Sequence, residues 1–168
     1  MRGRFRLRPI ALLVICWPLA LPVCVSADAG SAPLIAIEER ILVLVNQHRV
    51  GAGLGTLASD ARVAELARRH SASMADGKAS FGHDGWGERS EAVYASIPAL
   101  RVAENVSRHR GRKADEVPGA ALESWLGSAV HLKNIDGKTF DLTGIGAARA
   151  ADGTFYITQI FVEREPGK

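Results

Sequence analysis

Four side chains able to do acid–base or metal chemistry stand in stretches that no helical or strand period explains: His83, Glu88, Glu104 and His131. His83 lies in the loop Ser80-Phe81-Gly82-His83-Asp84-Gly85, with Glu88 shortly after it. Glu104 is a carboxylate inside the apolar run Val102-Ala103-Glu104-Asn105-Val106. Burying a carboxylate without partners is costly, so Glu104 requires donors or a cation. His131 opens the segment His131-Leu132-Lys133-Asn134-Ile135, after Trp125 and Ser128. Imidazole and carboxylate are ligands that a zinc-like ion accepts. They are equally a general acid/base set. The four are far apart in sequence and show no local His-Glu-x-x-His signature. Spacing alone leaves open whether they share a pocket or are four unrelated polar residues.

The remaining histidines have plainer readings. His48 falls at a helix end, where a cation suits the dipole. His70 is spaced with Leu66 and Met74 on an apolar helical face and reads as a satisfied core or boundary residue. His109 sits in the basic stretch Arg108-His109-Arg110 and reads as part of a solvated loop. Asn105-Val106-Ser107 matches a glycosylation acceptor but lies inside the Glu104 segment. The basic run from Arg101 to Lys113 reads as a solvated face.

Periodicity supplies the elements that must position these groups. Leu34 to Arg49 carries Ile37, Ile41, Leu44, Val45 and His48 at helical spacing, ended by Gly51, Gly53 and Gly55. Ser59 or Asp60 caps a second helix to about Asp76, stopped by Gly77. Gly82 to Gly87 is a loop, and a short helix is expected from Glu88 to Ala95. A fourth helix is expected from Asp115 to Gly127, with Pro118 in its first turn. Strands are expected over Ala103–Ser107, Thr143–Ala150 and Thr154–Val162, the last two joined by Ala151-Asp152-Gly153. Helices first and a hairpin last argue for an α+β fold.

The start of the chain bears on compartment and charge. Arg2, Arg4, Arg6 and Arg8 precede an apolar run from Ile10 to Val25, and Val25-Ser26-Ala27 offers a small-residue cleavage site. That order predicts a secretory signal peptide over residues 1–27. Residues 28–33 read as a flexible leader, residues 34–164 as a single domain, and Glu165 to Lys168 as a frayed end. Both cysteines, Cys16 and Cys24, leave with the signal, so the exported domain is expected to be free of disulfides, which suggests a bacterial source. The whole chain has 21 basic and 18 acidic residues; without the four leader arginines, 17 basic face 18 acidic. No electrostatic footprint for nucleic acid survives that cut, and no stable membrane span is expected after it.

Taken in order, these segments resemble the CAP superfamily of cysteine-rich secretory, antigen 5 and pathogenesis-related proteins, also called SCP-like domains. The resemblance runs from about Leu34 to Val162. It rests on Asn46-Gln47-His48-Arg49, on Phe81-Gly82-His83, and on Ala103-Glu104-Asn105-Val106. It rests further on Trp125-Leu126-Gly127-Ser128-Ala129-Val130-His131-Leu132-Lys133-Asn134-Ile135, and on the closing Gly144-Ile145-Gly146 with Tyr156-Ile157-Thr158-Gln159-Ile160-Phe161. The resemblance implies a three-layer α-β-α sandwich with a central antiparallel sheet. It implies a cleft tetrad that maps onto His83, Glu88, Glu104 and His131, with Zn2+ held by His83 and His131. Glu88 is placed by spacing alone and is equally readable as a first-turn helix acid. Ala103 stands where the family has glycine, and Ala129-Val130 where it has Pro-Gly.

Three roles follow from the resemblance. The first is an exported binding or effector module, its cleft taking a lipid, glycan or peptide. The second is a metal-dependent, peptidase-like hydrolase with Glu104 and Glu88 as catalytic acids or bases. The third is a structural domain of the cell envelope. Two protein ligands are fewer than catalytic zinc normally has, which ranks the hydrolase below the binding module. The expected destination is secreted, periplasmic or cell-envelope.

Overall fold

Ile37, Ile41 and Val45 repeat at helical spacing, and they bury one face of α1 (Ala32–Gly51). The structure, a computed structural model, describes residues 32–166. The expected signal peptide, and all of the expected leader before Ala32, lie outside the described residues. Ala32 and Pro33 belong to the first turn of α1 rather than to a leader. A proline there forfeits no hydrogen bond, because first-turn N–H groups have no intrahelical acceptor. Among the described residues no helix is long and apolar enough to cross a membrane.

The remaining elements are β1 (Ala58–Ser59), α2 (Ala61–Ala75), α3 (Trp86–Ser96), β2 (Ala99–His109), α4 (Val117–Leu126), α5 (Ala129–Ile135), β3 (Leu142–Arg149) and β4 (Phe155–Arg164). Asp60, not Ser59, caps α2, its Oδ1 accepting from the N–H groups of Arg62 and Val63. The sheet order is β1-β3-β4-β2. β3, β4 and β2 are antiparallel as expected, but the short β1 adds a parallel pairing to β3 through Ala58 and Ser59. Glu165 is not frayed: its N–H donates to Pro98 O at 3.0 Å.

Side chains alternate across the sheet, and each face has its own core. Phe155, Ile157 and Phe161 of β4 pack with Ile145 and Ala147 of β3 against α1, α4 and Ile135 of α5. Ile160 and Val162 pack with Leu142 against Val63 and Ala67 of α2 and Val93 of α3. The result is a three-layer α-β-α sandwich.

The α2 layer sits on the sheet with no room to spare. A Cβ on Gly144 would overlap the backbone of Val63 and Ala64, and one on Gly146 the backbone of Ala67 and Arg68. Backbone is the neighbour in both cases, so no rotamer change relieves the clash. Gly146→Ala is therefore expected to destabilise the domain by about 1–3 kcal/mol or more. Denaturant unfolding checks it, and an unchanged midpoint would contradict this packing.

Both sides of the sheet carry polar ties between the outer layers. Glu38 of α1 is buried, accepts from Ala147 N at 3.0 Å and grips Arg68 of α2 through Nε and Nη2. On the far side lies β2, an edge strand, and there the candidate site is found.

Candidate functional site

The loop after α2 has to turn sharply to reach β2, and Gly82 makes the turn with φ at 147°, a region that favours glycine. His70 fixes the loop from below, its Nε2 lying 2.8 Å from Gly82 O. That confirms His70 as a buried, satisfied histidine and sets the direction of the next residue, His83.

His83 Nδ1 lies 2.8 Å from Glu104 Oε1. Glu104 is buried, and its other partner is a cation that sequence reasoning missed. Arg89, on α3, donates through Nε to Oε2 at 2.9 Å and through Nη2 to Oε1 at 2.8 Å. This forked ion pair is the donor-and-cation set that a buried carboxylate demands. Gly85 starts α3 from a left-handed conformation, and Arg89 Nη1 also donates to Asp84 O at 2.6 Å. One turn of helix thus carries Arg89 back over the His83 loop. The signal available in the sequence was the requirement itself, since Arg89 is the basic residue of the short helix beside the His83 loop.

His131 comes from the opposite layer. Alternation puts Glu104 on the α2–α3 face of β2 and Asn105 on the α4–α5 face. Asn105 is fully buried; its Nδ2 donates to His131 O at 3.1 Å, and its Oδ1 accepts from Asn134 Nδ2 at 2.8 Å. Asn134 Nδ2 also reaches Glu104 O at 3.4 Å. Asn105 and Asn134 therefore hold α5 against the edge of β2. So tied, Asn105 is closed to glycosylation. α5 itself was not foreseen, because seven residues are too few to show a helical period.

His83 is near enough to His131 to influence its charge state. His131 Nδ1 is buried and has no hydrogen-bond partner. Burial, and then the nearby His83, hold the pKa of His131 below the ordinary histidine value, so the ring is neutral at neutral pH. A hollow of about 420 Å³ lies along His83, Trp86, Val102, Ala103 and Glu104.

Glu88 does not join them. It is exposed on the first turn of α3 and faces a separate hollow of about 480 Å³ with Leu66, Arg69 and Lys78. The side chain beside it, Arg89, takes the inward place, because neighbouring helical positions point in different directions. His109 is also not in a solvated loop. It is the last residue of β2, half-buried, with Nε2 3.0 Å from Ser107 Oγ. His48 pairs with Asp136 Oδ1 at 2.9 Å, past the end of α5.

The helix order and the closing hairpin have a counterpart among known proteins. The model of the cysteine-rich secretory protein family, CAP, matches residues 42–161. This chain belongs to the CAP family. Among solved structures it is similar to an extracellular SCP-domain protein from Bacillus anthracis, with 28% identity and a TM-score of 0.63 over 79% of this chain and 41% of that one. It is similar also to a cysteine-rich secretory protein from Staphylococcus aureus, with 20% identity and a TM-score of 0.60 over 78% of this chain and 40% of the other. An outer surface protein from Borrelia burgdorferi shares 15% identity at a TM-score of 0.61, over 76% of this chain and 92% of that one. The match thus spans about two-fifths of the Bacillus and Staphylococcus chains. No curated protein sequence matches significantly.

Buried His70 and half-buried His109 are expected to make the stability of this CAP domain depend on pH. Burial is the main cause holding the pKa of both His70 and His109 below the ordinary value. A histidine whose folded pKa is depressed binds its proton more readily in the unfolded chain. Its contribution is therefore complete above the unfolded pKa of about 6.5 and is lost as pH falls through that value toward the folded one. The thermal midpoint is expected to fall between about pH 7.5 and pH 5, and His109→Gln to remove part of the fall. A midpoint flat over that window would contradict the burial of these rings.

Proposed function

We propose that this protein is an exported CAP-domain binding module whose cleft holds a divalent cation, zinc in the first instance, between His83 and His131. The observation that carries the proposal is the chain Arg89–Glu104–His83. A carboxylate on one ring nitrogen fixes the tautomer and leaves the other nitrogen to face a metal, the arrangement by which outer-shell carboxylates orient metal-binding histidines. His131 fits the same role, since it is neutral and keeps a buried nitrogen without a partner. A cation bound there would supply Lewis acidity to whatever group the ligand presents.

A holding role is favoured over hydrolysis by the state of Glu104. Oε1 already accepts from His83 and Arg89, and Oε2 from Arg89. A carboxylate so engaged is an orienting acceptor, poorly placed to take a proton from water. Glu88, in its separate hollow, offers no second base beside His83. Among the described residues no group of three or more His, Cys, Asp or Glu is set to hold a metal, so the protein would offer two imidazoles and leave further positions to solvent or ligand. Lipid, glycan and peptide remain the ligand classes for that open side. Export is supported by the arginine-led apolar start of the chain and by the extracellular description of the Bacillus relative.

Calorimetric titration with zinc tests the reading. The protein is expected to bind about one equivalent, and His83→Ala and His131→Ala are each expected to abolish binding while remaining folded. Folded protein that takes up no zinc at millimolar concentration, or variants that bind as before, would overturn it.

A further inference from the structure

We propose that the end of the β2–β4 face beyond the cleft is a subsite for the carboxylate or phosphate group of an anionic glycan, with Arg108 as the anion-binding side chain. The proposal rests on residues outside the cleft and holds with or without a metal there.

Arg108 and Tyr156 sit directly opposite each other in the β2–β4 register. Phe81 stands beside both, its ring tilted at 57° to that of Tyr156 with centroids 6.4 Å apart, and its centroid 4.7 Å from the guanidinium carbon of Arg108. Phe81 stays 45% exposed, so this aromatic–cation stack stands at the surface. No carboxylate among the described residues lies within ion-pairing distance of Arg108. An arginine held against a ring can keep donors free and loses little further entropy when they meet a carboxylate or phosphate. The basic run does more here than dissolve in water.

The rest of the hollow suits a sugar. It encloses about 220 Å³ between Arg108, Arg110, Asp152, Thr154 and Tyr156. Arg110 Nη2 donates to Asp152 Oδ2 at 2.9 Å, and Thr154 N donates to Asp152 Oδ1 at 2.9 Å. These bonds, the Thr154 N–H first, hold the Asp152 carboxyl at about 2, so it is an ionised acceptor at the rim. A hydroxyl-bearing ring finds there an acceptor, a donor and the Tyr156 side chain. A polyanion without hydroxyl donors would leave the Asp152 carboxylate unmatched. A membrane surface would need apolar side chains to insert, and the ring exposed here, Phe81, carries a guanidinium beside it.

The subsite is continuous with the cleft. Glu104, Val106 and Arg108 follow one another on the same face of β2, so Glu104 and Arg108 are about 13 Å apart at the strand rise. The loop Phe81-Gly82-His83 spans the same interval, from Arg108 to Glu104. A short acidic oligosaccharide anchored at Arg108 would therefore point its next residues toward His83.

Titration with the tetramer of galacturonic acid, beside a neutral galactose oligomer of the same length, tests the proposal. The acidic oligomer is expected to bind with strong salt dependence. The neutral one, and the acidic one on Arg108→Gln, are expected to bind about tenfold more weakly, the equivalent of one charge-assisted contact. Arg108 is exposed, so the variant is expected to keep the wild-type unfolding midpoint and the wild-type response to zinc. That control separates failure of this subsite from failure of the metal reading. No binding of the acidic oligomer, equal binding by Arg108→Gln, or capture by phosphatidylglycerol vesicles in place of the glycan would overturn the proposal.

Discussion

Replacing Arg89 by methionine is expected to destabilise the domain by about 3–5 kcal/mol, because it leaves a buried carboxylate without its counter-charge. The side chain of Glu104 is 2% exposed and that of Arg89 11%, so solvent screens this pair weakly. Two of the three side-chain donors on Glu104 belong to Arg89, and His83 cannot replace both. The loss is expected to be recovered in large part by the double change Arg89→Met with Glu104→Gln, which removes charge from both sides. Urea unfolding of the single and double variants makes the comparison. If Arg89→Met unfolds at the wild-type midpoint, the clamp is not what stabilises Glu104 in its buried place. The same variant is expected to weaken zinc binding in the folded protein, since His83 would lose the acceptor that orients it.

Arg49→Met is expected to cost a comparable amount, on the order of 3–5 kcal/mol, for a different reason. Arg49 ends α1 fully buried, and its guanidinium is surrounded by carbonyl oxygens. Nε donates to Gly55 O at 2.7 Å, Nη1 to Ile135 O at 2.6 Å and Gly137 O at 3.0 Å, and Nη2 to Phe140 O at 3.1 Å. One side chain thus holds the turn after α1 to the end of α5 and to the approach to β3. Burial pulls the pKa of Arg49 down while Asp136 pushes it up, and guanidinium is the cation that stays charged under that pressure. Methionine would fill part of the space and leave the carbonyls unpaired. Lysine would keep the charge, yet a single ammonium cannot reach four acceptors spread over a planar fork, so Arg49→Lys is also expected to be clearly less stable than the wild type. A lysine variant equal in midpoint would show that charge alone, and not the fork, ties these segments.

Arg49 and Arg89 show where sequence reading of this fold succeeds and where it stops. The helices with a long apolar face were readable because burial repeats along them: Ile37, Ile41 and Val45 in α1, and Val63, Ala67, His70 and Met74 in α2. The final hairpin was readable for the same reason, with alternation on both faces of β4 and a turn at Asp152-Gly153. β1 and α5 were not, since two and seven residues carry no period. β2 runs further than expected in both directions, because Arg101, Glu104, Asn105 and Ser107 break its apolar pattern while its backbone pairs with β4 without a break from Arg101 to His109 and again, past an irregularity, at Ala99.

In the site, the burial of Glu104 implied a cation but not which one. A side chain's partner across a loop depends on the turn at Gly82 and the cap at Gly85, which no linear spacing encodes. Glu88 illustrates the converse. It had a plausible spacing from His83, and a one-residue step around α3 gave the inward position to Arg89. His109 read as solvated because its neighbours are basic, although strand alternation turns it toward Ser107. The family resemblance supplied the order of segments; the partners came from packing.

The account turns on His83 and His131 sharing one cation although they come from opposite layers of the sandwich. Imidazole 15N NMR during a zinc titration measures this directly. The resonances of both rings are expected to move together and to finish near one equivalent, with the Nδ1 of His83 still reporting its bond to Glu104. Movement of one ring alone, or of neither in folded protein, would contradict a shared site.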